Sequence, residues 1–158
     1  MTVTRNRLIL LAAAGSAAIL LAAFGFQYLG DLAPCKLCIW QRWPHAVAAV
    51  LGLLAVAVGG FILTLSGLSV MAASTGLAIY HSGVERHWWA GPSSCTGDGP
   101  SLSQMTPEQM LNPSLVEPIV LCDRIAWQLF GLTMANYNVL LSAGLVAVWA
   151  MALTRGRS

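Results

Sequence analysis

Three stretches of this chain carry no Asp, Glu, Lys or Arg: Leu8–Gly30 (23 residues), Trp43–Val84 (42) and Ile125–Thr154 (30). A helix on a soluble domain keeps a charged or polar face, and stretches of this length leave no room for one. About 20 apolar residues cross the hydrocarbon of a bilayer, so the outer stretches hold one span each and the middle one holds two. A turn around Thr64-Leu65-Ser66-Gly67 would divide the middle stretch. Composition agrees, with 57% hydrophobic and 9% charged residues, against roughly 25% charged in a soluble domain. The expected fold class is an all-α membrane protein. It is a four-helix transmembrane bundle forming a single membrane domain, with spans near 8–30, 43–63, 66–84 and 134–153. The net charge of +2 is scattered. With no basic run and no aromatic-basic interleaving, a lipid bilayer is the expected surrounding and nucleic acid is not an expected partner.

Arg5 and Arg7 ahead of Leu8-Ile9-Leu10-Leu11 would also suit a secretory signal, but the later apolar stretches favour a retained first span. Its small residues, Ala12 to Ala18, would let neighbouring helices approach closely. Four spans put both termini on one side and the loops 31–42 and 85–133 on the other. All four cysteines, Cys35, Cys38, Cys95 and Cys122, fall on that second side. Lys and Arg divide evenly between the sides. Arg5, Arg7, Arg155 and Arg157 crowd very short tails, however, which places the termini in the cytoplasm. Four cysteines together also suit an oxidising compartment.

Cys35 and Cys38 form a Cys-x-x-Cys in Pro34-Cys35-Lys36-Leu37-Cys38-Ile39-Trp40-Gln41-Arg42, at the junction of two apolar segments. Thiols at this spacing on a helix start can close into a disulfide and reopen; a zinc half-site or a static staple would use the same spacing. Helix N-terminal amides, together with Arg42 one turn beyond Cys38, favour Cys38 as the thiolate. Cys95 and Cys122 lie 27 positions apart, and neither belongs to a second Cys-x-x-Cys. A four-cysteine zinc site more often shows two close pairs, so no metal is expected. Two redox pairs on one face could instead exchange thiolate for disulfide and carry two electrons toward the bilayer. The loop that holds the second pair contains Pro92, Pro100, Pro107, Pro113 and Pro118 and is too broken for a core of its own. Ile119-Val120-Leu121, Ile125 to Phe130, Trp88 and Trp89 offer it apolar and aromatic anchors at the interface.

Arg42, between Trp40 and Trp43, either snorkels to the headgroups or donates hydrogen bonds to a carbonyl oxygen of an acceptor dissolved in the membrane. Interfacial packing is the default for His45, His81 and His87. His81, with Glu85 four residues later, could also help proton movement at an acceptor site. Pro44 either opens the second span, leaving 35–42 as a separate short helix, or kinks one continuous helix.

The segment Pro34 to Arg42, the later pair Cys95 and Cys122, the four spans and the two outer loops together resemble the DsbB family of bacterial membrane disulfide-bond formation proteins, over nearly the whole chain. The resemblance implies a bundle in the bacterial inner membrane with cytoplasmic termini, periplasmic cysteines and one long periplasmic loop. It implies a thiol:quinone oxidoreductase that reoxidises a DsbA-like, thioredoxin-fold periplasmic protein and delivers the electrons to quinone. By resemblance, Cys95 receives the partner's thiolate, Cys122 then attacks Cys35, and Cys38 is released facing the quinone, with Arg42 at the quinone site; His81 is a further candidate there from its place near Glu85. Pro44 departs from the family pattern at the helix that carries Arg42. Vitamin K epoxide reductases are similar in chemistry but have the two cysteine pairs in the reverse order. A tetraspanin-like structural protein with a stapled outer loop is the alternative from another class.

An oxidant as strong as DsbA, near about −120 mV, needs an acceptor poised above it, and glutathione at about −180 to −210 mV falls short. The chain holds no dinucleotide, haem or iron-sulfur motif. A lipid-soluble quinone is the acceptor expected, ubiquinone in preference to menaquinone.

Overall fold

The computed structural model describes residues 4–92, 106–108 and 120–155. Among them are four long helices, α1 (Arg5–Tyr28), α2 (Lys36–Ala57), α3 (Phe61–Glu85) and α4 (Met134–Thr154). A two-stranded ribbon, β1 (Gln128–Leu129) and β2 (Leu132–Thr133), precedes α4. Helix α1 packs against α2 and α4, and α3 packs against the same two, which closes the four helices into a ring. Among the described residues α1, α3 and α4 are long and apolar enough to cross a membrane. Helix α2 falls outside that set because its first turns carry Gln41, Arg42, Pro44 and His45 ahead of the apolar remainder.

The buried positions of α1 are Arg5, Leu8, Ile9, Ala12, Ala13 and Ser16, a single face at helical spacing. Small residues set how closely the helices meet. A Cβ on Gly52 of α2 would lie 2.6 Å from the Ala13 Cβ, and one on Gly67 of α3 would lie 2.5 Å from the buried Trp149 ring of α4. Close backbone approach of this kind holds helices together in lipid, where burial of apolar surface gives no net drive. At the end of the bundle that holds the chain termini, the buried Arg5 donates from Nη2 to the Gly60 carbonyl (2.9 Å) and to Thr64 Oγ1 (2.7 Å). A buried guanidinium needs such partners, and these tie the start of α1 to the α2–α3 turn. The Cys-x-x-Cys therefore occupies the opposite end.

Several expectations are corrected. The turn between the second and third helices falls at Val58, Gly59 and Gly60, where both glycines take positive φ (74° and 114°). Thr64 to Gly67 lie inside α3. Helix α2 begins at Lys36, so much of the expected loop 31–42 is helical, and it runs unbroken through Pro44. Proline removes the bond to the Trp40 carbonyl, a loss that membrane helices tolerate when neighbouring groups compensate. Before α4 the ribbon turns on Phe130 (φ 50°) and Gly131 (φ 76°), both in the left-handed region that a tight hairpin requires. Phe130 is exposed there. Trp89 folds back onto α3, stacking on Tyr80 and donating from Nε1 to the Tyr80 carbonyl (2.8 Å), where Gly83 leaves room for its ring. Cys95, Pro100, Pro113, Pro118 and Ile119 lie outside the described residues.

Candidate active site

Cys35 is the N-cap of α2. Its Sγ accepts the Cys38 backbone N–H at 3.2 Å, which meets one of the amides that a helix start leaves unbonded. The two sulfurs of the Cys-x-x-Cys lie 2.6 Å apart. Cys35 and Cys122 are both buried, and they pack in one cluster with Leu37 and Val84, against which Cys38 and Val120 rest. Three of the four cysteines are thus gathered at one end of the bundle.

Both sulfurs of the pair sit ahead of Trp43, where the apolar part of α2 begins. The Cys35 thiol is pushed above its ordinary range by the hydrogen bond it gives to Cys38 and by burial. Cys38 is lowered, first by accepting that bond, with the Arg42 charge a lesser contribution. Of the two sulfurs, Cys38 is the one that more readily takes the charge. This agrees with the thiolate expected from sequence, although the main cause is the neighbouring thiol rather than the arginine.

His81 of α3 is buried, with Nε2 3.5 Å from Cys35 Sγ and 4.0 Å from Glu85 Oε1. Its ring also reaches the backbone of Cys122. On its other side Nδ1 is 2.7 Å from Gln41 Nε2, and Gln41 Oε1 accepts from Asn138 Nδ2 at 2.5 Å. Because Gln41 spends its oxygen on Asn138, it faces His81 with its N–H. The neutral ring therefore carries its proton on Nε2, toward the sulfur. Glu85 accepts a 2.5 Å hydrogen bond from Thr133 Oγ1, the N-cap of α4, which joins the ends of α3 and α4 beneath the cysteines.

Sulfur and imidazole ligand atoms of Cys35, Cys38 and His81 lie within 4.8 Å of one another. Two thiolates on one tetrahedral zinc at about 2.3 Å would stand about 3.8 Å apart. The 2.6 Å separation is much shorter than that and lies nearer the roughly 2.05 Å of a disulfide.

From the cysteines a cavity of about 680 Å³ extends between α1, α2 and α4. One wall is apolar, with Ala18, Ile19, Ala22 and Phe26 of α1 facing Leu141 and Leu145 of α4. The other wall carries Cys38, Gln41, Arg42, His45, His81, Glu85 and Asn138. Arg42 turns toward α1. Its Nη1 donates to Gln27 Oε1 (2.6 Å) and its Nη2 to the Ala23 carbonyl (3.4 Å), and the guanidinium stacks 4.8 Å from the Phe24 ring. Its Nε is buried without a partner among the described residues. An apolar slot with one unmet donor on its wall fits a flat, lipid-soluble carbonyl compound.

The structure therefore brings Cys35, Cys38, His81 and Arg42 around one cavity, with Cys122 packed in the buried cluster that holds Cys35. Sequence reasoning missed Gln27, Gln41, Asn138 and the burial of His45. Interfacial packing is the expectation for His45, but the residue is 2% exposed and lies 3.0 Å from Asn138 Oδ1. No motif marked these residues, since their partners lie far away in the chain.

This geometry defines a membrane thiol oxidoreductase site. Comparison gives the family: the model of "Disulfide bond formation protein DsbB" matches residues 5–152, and the chain belongs to that family. A Disulfide bond formation protein B from Polaromonas sp. strain JS666 is 31% identical over 150 residues, covering 92% of this chain and 89% of the relative. Proteins of the same name are 28% identical in Dechloromonas aromatica, with 89% and 87% covered, and 31% identical in Azoarcus sp. strain BH72, with 93% of each covered. No solved structure matches. The family is an inner-membrane, quinone-linked one whose general function is to reoxidise DsbA and pass the electrons to quinone.

Proposed function

We propose that this chain carries electrons from a DsbA-like periplasmic protein through Cys95 and Cys122 to Cys35 and Cys38, and from there to ubiquinone rather than menaquinone. In this reading α1, α3, α4 and the apolar part of α2 from Trp43 onward make four spans. The termini are cytoplasmic, and the segment 31–42, with the first turns of α2, and the segment 86–133 are periplasmic, with all four cysteines on that side. Cys95 accepts the partner's thiolate, which breaks the Cys95–Cys122 disulfide and frees Cys122. The Cys122 thiolate attacks Cys35, the Cys35–Cys38 bond breaks, and Cys38 leaves as a thiolate. The observation that carries this order is the packing of Cys122 in one buried cluster with Cys35, with Cys38 against it at the mouth of the cavity.

A bound quinone supplies an acceptor for two electrons and two protons, and a high-potential benzoquinone suits an oxidant near about −120 mV. Arg42 offers its unmet Nε to a carbonyl oxygen. His81 holds an Nε2–H beside Cys35 and so steadies whichever sulfur state is present. The apolar wall keeps water from the thiolate.

A partner that keeps only its attacking cysteine is expected to accumulate a mixed disulfide with Cys95, because its thiolate breaks the Cys95–Cys122 disulfide and no second partner thiol remains to release it. Non-reducing electrophoresis with peptide mapping reads the link. A complex through another cysteine, or none with a reduced partner in excess, would overturn the assignment.

A further inference from the structure

His45 adds a second polar contact to the quinone reading, and its role rests on that reading. His45 lies on α2 one turn beyond Arg42 and lines the same cavity. Its Nε2 stands 3.0 Å from Asn138 Oδ1. Asn138 uses its Nδ2 to donate to Gln41 Oε1, and its Oδ1 also accepts the Ser142 hydroxyl at 3.1 Å. With the amide fixed in this sense, His45 Nε2 must be the donor, and the neutral ring leaves Nδ1 as a bare acceptor. That Nδ1 is buried and has no partner among the described residues. Two residues that line the cavity thus each carry a buried atom without a partner among the described residues, a donor at Arg42 Nε and an acceptor at His45 Nδ1.

A quinone offers only acceptor oxygens and has nothing to give His45. Its reduced form, a quinol, carries hydroxyl donors. Arg42 and His45, three residues apart on α2, both line the cavity that would hold the ring.

We propose that His45 Nδ1 accepts a hydrogen bond from the quinol hydroxyl and makes this site prefer the reduced ligand over the oxidised one. Binding of the quinol satisfies a buried acceptor that the quinone leaves unmet. Asn138, through Nε2, is the positioning residue that fixes the tautomer.

The test measures equilibrium binding to the full chain with its cysteines oxidised, anaerobically, using a ubiquinone with a single isoprene unit and its quinol. Tryptophan fluorescence reads both affinities without turnover. In His45→Gln the longer amide keeps a donor for Asn138 but places no acceptor at the Nδ1 position. Quinol affinity is expected to fall roughly tenfold, the size of one lost buried hydrogen bond, with quinone affinity little changed. In His45→Asn an oxygen can occupy the Nδ1 position, so the preference for quinol is expected to return at least in part. Equal losses for both ligands in His45→Gln, or no loss for either, would overturn the proposal and leave His45 as packing. If the unaltered protein binds neither form, the quinone site itself fails along with the inference.

Discussion

A Cys38→Ser protein is expected to oxidise at most one equivalent of reduced partner and then stop, with no quinone consumed. The Cys95–Cys122 disulfide can still be spent once. Without Cys38 there is no Cys35–Cys38 bond for Cys122 to attack, and no thiolate at the cavity to release electrons. Cys38 only rests against the buried cluster, and serine is nearly its size, so the bundle should remain folded. Partner thiols counted against time should therefore show a single-turnover burst and a flat baseline. Continued turnover in this variant would mean that Cys35 or Cys122 reaches the acceptor directly.

The second large effect is expected at Arg42. Replacing it with alanine should lower kcat/KM for quinone by about 10- to 150-fold, the equivalent of about 1.5–3 kcal/mol for a lost charged hydrogen bond. The fall should appear chiefly as a raised KM, because the proposal puts the guanidinium on the ligand, while its charge is only a lesser influence on Cys38. Both disulfides should form as before. Lysine should restore little, since the planar fork is held between Gln27, the Ala23 carbonyl and the Phe24 ring in a geometry an ammonium cannot copy. Steady-state rates over a range of quinone concentrations give the split. A loss confined to kcat with KM unchanged would move Arg42 from ligand binding to thiolate support.

Much of this arrangement was legible in the sequence because its signals are local. Charge-free stretches mark helices for lipid, and a Cys-x-x-Cys after Pro34 marks a helix start carrying two thiols. The turn at Gly59 and Gly60 was legible in principle, since paired glycines are strong breakers, but Thr64 to Gly67 competed for the same assignment. Gly67 is needed against Trp149, a packing role that no local pattern reveals. The polar wall is opaque for a related reason. Gln41 meets His81 across 40 positions and Asn138 across 97, while Arg42 meets Gln27 across 15. Isolated amides in apolar stretches show their purpose only when the helices are brought together. Pro44 raised a real ambiguity that local rules could not resolve, because neighbouring helices in the bundle support α2 through the missing bond.

The most direct test of the account is quinone reduction driven by the reduced partner. Purified protein in detergent, given ubiquinone and an excess of reduced thioredoxin-like partner, should remove the quinone's ultraviolet absorbance at one quinone per partner disulfide formed. Each couple carries two electrons, which fixes that ratio. Partner oxidation without quinone loss, or no reaction with an active reduced partner, would contradict the assignment of this site to electron delivery into quinone.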